Sequence, residues 1–373
     1  MQEHLAQISI YSKLESHSGP CLIDKSGNVL EYSQMKDICL TFRNQLANME
    51  IVPGSVFGIV LPNGINMAKC FLALANYVKA APLNPNYTEE EFIFYLEDLG
   101  CKYVVTDESV SDNLKNAAKK TNTKLFFIEP DEVNNSLKLK SIDATKNLAF
   151  KPNFNNDQCL ILHTSGTTSK PKQVQLSTKN ILSSASNIAN TLHLSKADTG
   201  LNIMPLFHIH GLIASLLSSV FSGGSLVCTE GFNALSFFSQ IKTFKPTWIT
   251  AVPTMYQALL GRSSRNSSII KSSKIRFLRS SSAAMPVKTI EELETVFECP
   301  VIEAYGMTEA SHQMASNPLN GIRKSGSVGK AAGPKIALLK DHKVYTESGT
   351  EGEIIIKGEN VTKGYKNNDS ANK

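Results

Sequence analysis

Short apolar runs alternate with amphipathic stretches along most of this chain, and that alternation restricts its fold more than any other feature. Met35, Ile38, Cys39, Phe42, Leu46 and Met49 recur at helical spacing, with Ser33 as the expected N-cap. Apolar runs bounded by turn residues predict strands at 56–61, 103–106 and 125–128. Between the first two lies a helix that opens on a capping box of Thr88 and Glu91 and stops at Gly100. The unit then repeats, with a strand at 159–163, a helix from about 178 and strands at 201–204 and 225–228. A helix with Phe232, Leu235, Phe238, Ile241 and Phe244 on one face follows, and strands at 248–252, 275–278 and 301–303 alternate with further helices. This pattern predicts an α/β fold of two helix-covered, mostly parallel sheets packed together. The stretch 131–156, polar and rich in Asn and Lys, reads as the connection between two halves. From about Gly326 the helices disappear, and 343–345 with 353–357 read as a hairpin in a small β subdomain. The expected division is a first α/β subdomain over 1–156, a second over 157–325, and the β subdomain over 326–373.

Composition narrows the class. No apolar run approaches the roughly 18–20 residues that cross a bilayer, so no membrane span is expected. The start, MQEHLAQISI, lacks the basic segment and long apolar stretch of a secretory signal. Cys21, Cys39, Cys70, Cys101, Cys159, Cys228 and Cys299 form no C-x-x-C pair. Such a scattered, odd set reads as reduced, buried thiols in an intracellular protein, and no zinc site is expected. The net charge of +5 is spread along the chain instead of gathered in an aromatic-laced stripe, which argues against a nucleic-acid partner. The same bias suits anionic ligands and is equally compatible with solubility alone.

Three segments carry chemistry. The first, CLILHTSGTTSKPK at 159–172, runs an apolar strand into Thr164, Ser165, Gly166, Thr167, Thr168, Ser169, Lys170 and Lys172. Backbone N–H groups, hydroxyls and ammonium groups of such a loop can surround a polyphosphate. It is no Walker A loop, and by composition alone a solvated Ser/Thr-rich turn fits equally well; the abrupt strand-to-loop junction favours a ligand. The second, EAYGMTE, runs from Glu303 through Ala304, Tyr305, Gly306, Met307 and Thr308 to Glu309. Ligands of open α/β sheets sit at the carboxyl ends of strands, where Tyr305 can stack on a base and Glu309 beside Thr308 can hold Mg²⁺. Taken alone, a core tyrosine and a surface glutamate are the plainer reading. The third, MPLFHIHGL at 204–212, places His208 and His210 after a strand; without converging ligands they read as packed, hydrogen-bonded residues and not as a metal site.

In this order, the three segments resemble the adenylate-forming superfamily of acyl-CoA synthetases, firefly-type luciferases and peptide-synthetase adenylation domains. LHTSGTTSKPK looks like its phosphate loop, PLFHIHG like its acyl-pocket histidine segment and YGMTEA like its adenine and Mg²⁺ segment. APLNPNYTEEE at 81–91 and GEIIIKGENVTKGY at 352–365 match as well, so the resemblance covers nearly the whole chain. Ser169 stands where family members commonly have glycine. The family also continues past the position of Tyr365 into a T-G-D segment, a hinge and a small C-terminal lid with a catalytic lysine. The resemblance therefore implies a large N-terminal domain with the lid absent and the nucleotide site in its second subdomain.

It further implies that ATP, Mg²⁺ and CoA serve the reaction, with ATP/AMP, a carboxylic acid and CoA as partners. Thr164, Ser165, Gly166, Thr167, Thr168 and Lys172 would meet the β- and γ-phosphates. Tyr305 would flank adenine, together with backbone around Ser282, Ala283 and Ala284 and the Glu303–Met307 strand end. Thr308 would meet the α-phosphate, Glu309 the metal, and His208 would sit between the nucleotide and acyl sites; His208, Thr308, Glu309 and Lys172 are the implied catalytic set. RSSSAAMP at 279–286 and EAYGMTEASHQMASNPL at 303–319 resemble the oxalate–CoA ligase branch. Three serines and His312 are polar for a fatty pocket, so Ser282 and His312 are candidates for a second carboxylate, with support of the nucleotide site as their other reading. A ligase for a longer-chain or aromatic acid is the alternative within the class, and a lid-less nucleotide-binding module the alternative outside it. A cytoplasmic or peroxisomal location is expected.

Overall fold

The computed structural model describes residues 8–131, 133–140, 158–164, 171–347 and 349–372. They build two mostly parallel sheets and one small antiparallel sheet. The seven-stranded sheet runs in space Ser136–Leu139, Lys124–Asp131, Tyr103–Thr106, Val56–Ile59, Lys79–Pro82, Gln158–Thr164, Lys172–Ser177. Its centre is parallel and each edge is an antiparallel hairpin. The nine-stranded sheet runs Lys330–Ala331, His312–Ser316, Val301–Met307, Phe277–Ser280, Trp248–Ala251, Thr199–Asn202, Ser225–Cys228, Pro20–Ile23, Val29–Glu31.

Sheet membership crosses the expected division at residue 156. The hairpin Pro20–Glu31 completes the nine-stranded sheet, pairing Leu22 with Leu226, whereas Gln158–Ser177 completes the seven-stranded one. Periodicity reports which residues are strand but not which partner, and here each partner lies far away in sequence.

The largest buried cluster lies between the sheets, joining Phe57 and Phe71 of one unit to Leu226, Trp248 and Phe277 of the other. Each such side chain contributes about 1.5–3 kcal/mol when fully buried. Separate clusters cover the outer faces: Phe237, Phe238, Tyr256 and Leu293 on one, Phe92, Leu96, Val104 and Leu114 on the other. With both faces covered, the strands are buried throughout, as in Trp248–Ala251, instead of alternating.

Several local signals are realised. Helix Glu89–Leu99 has Thr88 and Glu91 in a reciprocal capping box and ends at Gly100 in the left-handed region (φ 59°). All seven cysteines are free and buried. Others shift. Helix Tyr32–Asn48 starts one residue before the expected cap Ser33, with Glu31 and Gln34 forming the capping box. Leu235 is 72% exposed because its helix begins only at Phe237, after an Asn233 turn that uses the intervening backbone N–H groups. The stretch after 131 is not all connection: Ser136–Leu139 is an edge strand, while 141–157 lie outside the described residues. In the small sheet, Lys343–Tyr345 and Glu353–Lys357 do not pair with each other but flank Lys335–Lys340. No helix among the described residues is long and apolar enough to cross a membrane.

Candidate active site

Strand ends bring the distant segments together. The parallel pair Phe277–Ser280 and Val301–Met307, registered at Ser280 with Glu303, delivers the 281–285 loop beside Ala304 and Tyr305. Ser281 Oγ donates to the Ala304 carbonyl at 2.9 Å, and Glu303 accepts from the Met285 N–H at 3.1 Å. Glu303 is buried and braces this loop from beneath, and its second oxygen has no partner among the described residues. Ser282, Ala283 and Ala284 are exposed, and Ser282 holds a left-handed φ of 72°. After Met307 the chain makes a short turn through Thr308, Glu309 and Ala310 and returns as His312–Ser316, so His312 sits opposite Met307. Ser311 and His312 both have positive φ, 50° and 94°, at a cost of about 1–3 kcal/mol each that the surrounding structure must offset.

A second focus joins the two large sheets. Thr164 and Lys172 are paired across the hairpin whose loop they close; Ser165, Gly166, Thr167 and Thr168 lie outside the described residues. Below the loop, Asp98 accepts from Gln173 Nε2 at 3.1 Å and contacts His163 Nε2 at 2.8 Å, and these two residues face each other across the hairpin. One carboxylate thus clamps both arms of the stem. The segment containing Tyr365 then ties stem to turn. Tyr365 donates to Glu309 Oε1 at 2.6 Å, its ring lies 4.9 Å beneath Lys172 Nζ, and the Thr362 N–H donates to the Glu309 carbonyl at 2.7 Å. Burial, then the bond to Glu309, pushes the Tyr365 phenol up to about 12, so it stays a donor at neutral pH.

Of the two histidines in the third segment, His208 is exposed with its ring 4.5 Å from Phe207, and His210 is the one that contacts Ser282. His210 Nδ1 lies 3.0 Å from Ser282 Oγ and Nε2 lies 2.7 Å from Thr250 Oγ1, while its ring stacks on His312 at 4.8 Å. Between the sheets, at the same end, a cleft of about 560 Å³ is lined by Val60, Asn63, Thr106, Ile203, Phe207 and Glu230.

The sequence reading missed Thr250, Arg279, Gln313 and Tyr365. Arg279 alone carried a signal, as a cation at the end of an apolar strand run. Its fully buried guanidinium contacts Thr250, His312 and Gln313.

Burial first, then nearby charge, holds His210 and His312 well below the ordinary imidazole value. The sign follows directly. Above about pH 6.5 neither the folded nor the unfolded imidazole binds a proton, whereas below it only the unfolded one does. Stability should therefore fall on acidification from pH 7.5 to 5.5, with a limiting slope of about 1.4 kcal/mol per pH unit for each histidine. Urea midpoints across that range check this; the slope should be shallower in His312→Gln, and equal slopes would contradict it.

For a divalent cation, the residues offer the Glu309 carboxylate, whose Oε2 has no protein partner among the described residues, and the neighbouring Thr308 hydroxyl. Among the described residues no cluster of three or more His, Cys, Asp or Glu could form an all-protein cage. One carboxylate at a strand end suits Mg²⁺, which shares its shell with phosphate oxygens and water.

Known proteins agree with this architecture. The chain is 38% identical over 353 residues to an oxalate–CoA ligase of Arabidopsis thaliana, covering 92% of this chain and 68% of that protein. It is 39% identical over 351 residues to an oxalate–CoA ligase of Saccharomyces cerevisiae, covering 86% and 64%. Among solved structures, O-succinylbenzoate coenzyme A synthetase of Bacillus subtilis with ATP and magnesium ion superposes with a TM-score of 0.80 at 27% identity, over 98% of this chain and 73% of that one. ATP-bound MatB of Rhodopseudomonas palustris reaches 0.85 at 24% identity, over 98% and 73%, a likeness of fold. The AMP-binding enzyme family model matches residues 15–366, and the chain belongs to that family.

Proposed function

We propose that this chain activates a small dicarboxylic acid, with oxalate the best fit, as an acyl-adenylate at the expense of ATP, for transfer to CoA. The observation that carries the acid assignment is the polar floor of the site. Exposed Ser282, hydrogen-bonded to His210, and His312, opposite Met307, stand beside the Thr308–Glu309 turn where an apolar lining would be needed for a fatty chain. A buried second carboxylate requires such donors. The relatives named as oxalate–CoA ligases support the same choice.

In the first half-reaction a carboxylate oxygen of the acid bonds to the α-phosphorus. The α–β bridging bond breaks, and pyrophosphate leaves with its electron pair. The acid is already ionised at neutral pH, so no general base is required. The protein's work is positioning and charge neutralisation. Lys172, Thr164 and the 165–168 loop would hold the β- and γ-phosphates, Tyr305 and the Ser282–Ala284 backbone the adenine, and Thr308 the α-phosphate. Glu309 would hold Mg²⁺, which when bound neutralises phosphate charge. His208 is assigned to the boundary between nucleotide and acyl sites. In the second half-reaction the CoA sulfur, its thiol proton released to solvent, bonds to the acyl carbon while the C–O bond to the phosphate breaks and AMP departs with its electron pair.

Calorimetric titration of Mg·ATP, followed by oxalate, malonate and octanoate in turn, tests this reading. Nucleotide binding that tightens with oxalate, less with malonate and not with octanoate is expected. Coupling to octanoate alone would remove the dicarboxylate assignment.

A further inference from the structure

Arg279 is fully buried on the Phe277–Ser280 strand, yet each group its guanidinium touches is neutral. Nη1 lies 3.2 Å from Thr250 Oγ1 and 3.2 Å from His312 Nε2; Nη2 lies 3.2 Å from Gln313 Oε1; Nε has no partner among the described residues. Arg279 forms no ion pair among the described residues. A buried cation without a counter-charge is unfavourable for folding, and a well-packed apolar side chain would serve stability better. Its retention under this site needs a functional cause.

Counting hydrogens supplies one. A guanidinium has only donors. His312 Nε2 must therefore accept from Arg279, which leaves the imidazole proton on Nδ1 as a donor. Thr250 Oγ1 accepts from Arg279 as well, and among the described residues the one acceptor within reach of its own hydroxyl hydrogen is His210 Nε2, at 2.7 Å. His210 then carries its proton on Nδ1 and donates to Ser282 Oγ at 3.0 Å. The Ser282 hydroxyl hydrogen is left free at an exposed residue. Gln313 is held in the matching orientation, because its amide nitrogen donates to Thr191 Oγ1 at 3.3 Å and to the Ala332 carbonyl at 3.0 Å. The polarity of the network runs one way, from the buried cation outward, and its surface end is a donor.

We propose that Arg279 is a positioning residue that gives this site its preference for an acid with a second carboxylate. It supplies the unbalanced positive charge and orients Ser282, through Thr250 and His210, and His312 as hydrogen-bond donors to that carboxylate. The inference rests on the reading that the acyl site takes a small dicarboxylate. It adds a reason why a monocarboxylate of equal size is rejected: only a second anion neutralises the charge and accepts from these donors.

The test compares oxalate with acetate, which replaces one carboxylate by a methyl. Affinities are measured by calorimetry with Mg²⁺ and an ATP analogue bearing a methylene α–β bridge, for wild type, Arg279→Gln, Arg279→Lys and Thr250→Val. Arg279→Gln should weaken oxalate about a hundredfold and acetate less than about threefold, as expected for loss of a buried charge that faces one ligand only. Thr250→Val keeps the charge but cuts the chain to Ser282, and should cost oxalate about tenfold. Arg279→Lys should recover part of the loss seen in Arg279→Gln. Affinity for the nucleotide analogue should stay within about twofold in all three. Equal losses for oxalate and acetate, or for the nucleotide, would reduce Arg279 to a structural brace and overturn the proposal. So would oxalate affinity that survives in both Arg279→Gln and Thr250→Val. If Arg279→Gln fails to fold, Arg279→Lys and Thr250→Val decide by the same ratio. A wild type that prefers octanoate, or does not distinguish oxalate from acetate, overturns the dicarboxylate reading and this inference with it, whereas a wild-type preference that the variants keep overturns the role of Arg279 alone.

Discussion

Gly306→Ala should destabilise the protein by about 4 kcal/mol or more and abolish nucleotide binding, because the new methyl has no space to enter. A Cβ built on Gly306 falls 1.4 Å from the His312 carbonyl oxygen and 2.4 Å from its carbon, with the Gln313 Cα at 3.2 Å. All three are backbone atoms of the paired strand, so no rotamer change relieves the clash. Strands Val301–Met307 and His312–Ser316 would have to separate at the point where their register already shifts, between Tyr305 and Gly306. One arm carries Tyr305, Thr308 and Glu309 and the other His312 and Gln313, so fold and site are lost together. Gly261→Ala is the control. It lies in helix Pro253–Ser263, and a Cβ there meets nothing within 4 Å. It should stabilise by about 0.5–1 kcal/mol. Urea midpoints and a nucleotide titration on both variants check the contrast; a Gly306→Ala protein with wild-type stability would show that the hairpin is not packed as described.

Glu309→Gln should lower the affinity for Mg·ATP about 100-fold while leaving that for metal-free ATP within about threefold. The amide is nearly isosteric and its oxygen can still accept from Tyr365, so the turn should keep its shape. What is lost is the anionic oxygen facing the cation. Tyr365→Phe removes only the 2.6 Å bond that holds Glu309 in one rotamer and retains the ring beneath Lys172, so its loss should be smaller, about tenfold, and again confined to the metal complex. Titrations with and without Mg²⁺ separate the two terms. Equal losses for ATP and Mg·ATP in Glu309→Gln would move this carboxylate from the metal to the nucleotide.

The sequence conveyed what is local. The cap at Thr88, the stop at Gly100 and the apolar strands between turns follow from patterns within a dozen residues. The motif segments could be placed at strand ends for the same reason. What it did not convey depends on register between distant segments. That His210 and not His208 touches Ser282 is decided where the chain leaves its strand and winds into the wide turns of His210–Leu217. The strand His312–Ser316 is hidden because only four residues separate it from Val301–Met307, and its buried His and Gln look like surface composition. Tyr365 reads as one more aromatic until its hydroxyl is found on Glu309, more than fifty residues earlier. Arg279 could be seen, but its partners Thr250, His312 and Gln313 come from two other strands.

The hairpin Pro20–Glu31 has a consequence for how the molecule is made. Its parallel partner, Ser225–Cys228, is registered at Leu22 with Leu226, about two hundred residues later. At synthesis rates of roughly 5–20 residues per second, the hairpin leaves the ribosome about 10–40 seconds before the edge it needs. A lone two-stranded ribbon is marginal in water, so Cys21, Leu22 and Leu30, all buried in the finished molecule, spend that interval with their apolar surface unpaired. The seven-stranded sheet, whose last strand ends at Ser177, can close within that interval. Assembly is therefore ordered, with the first strands of the chain locked in place only after residues 225–228 emerge, and a nascent chain stalled before residue 225 leaves that apolar surface unpaired.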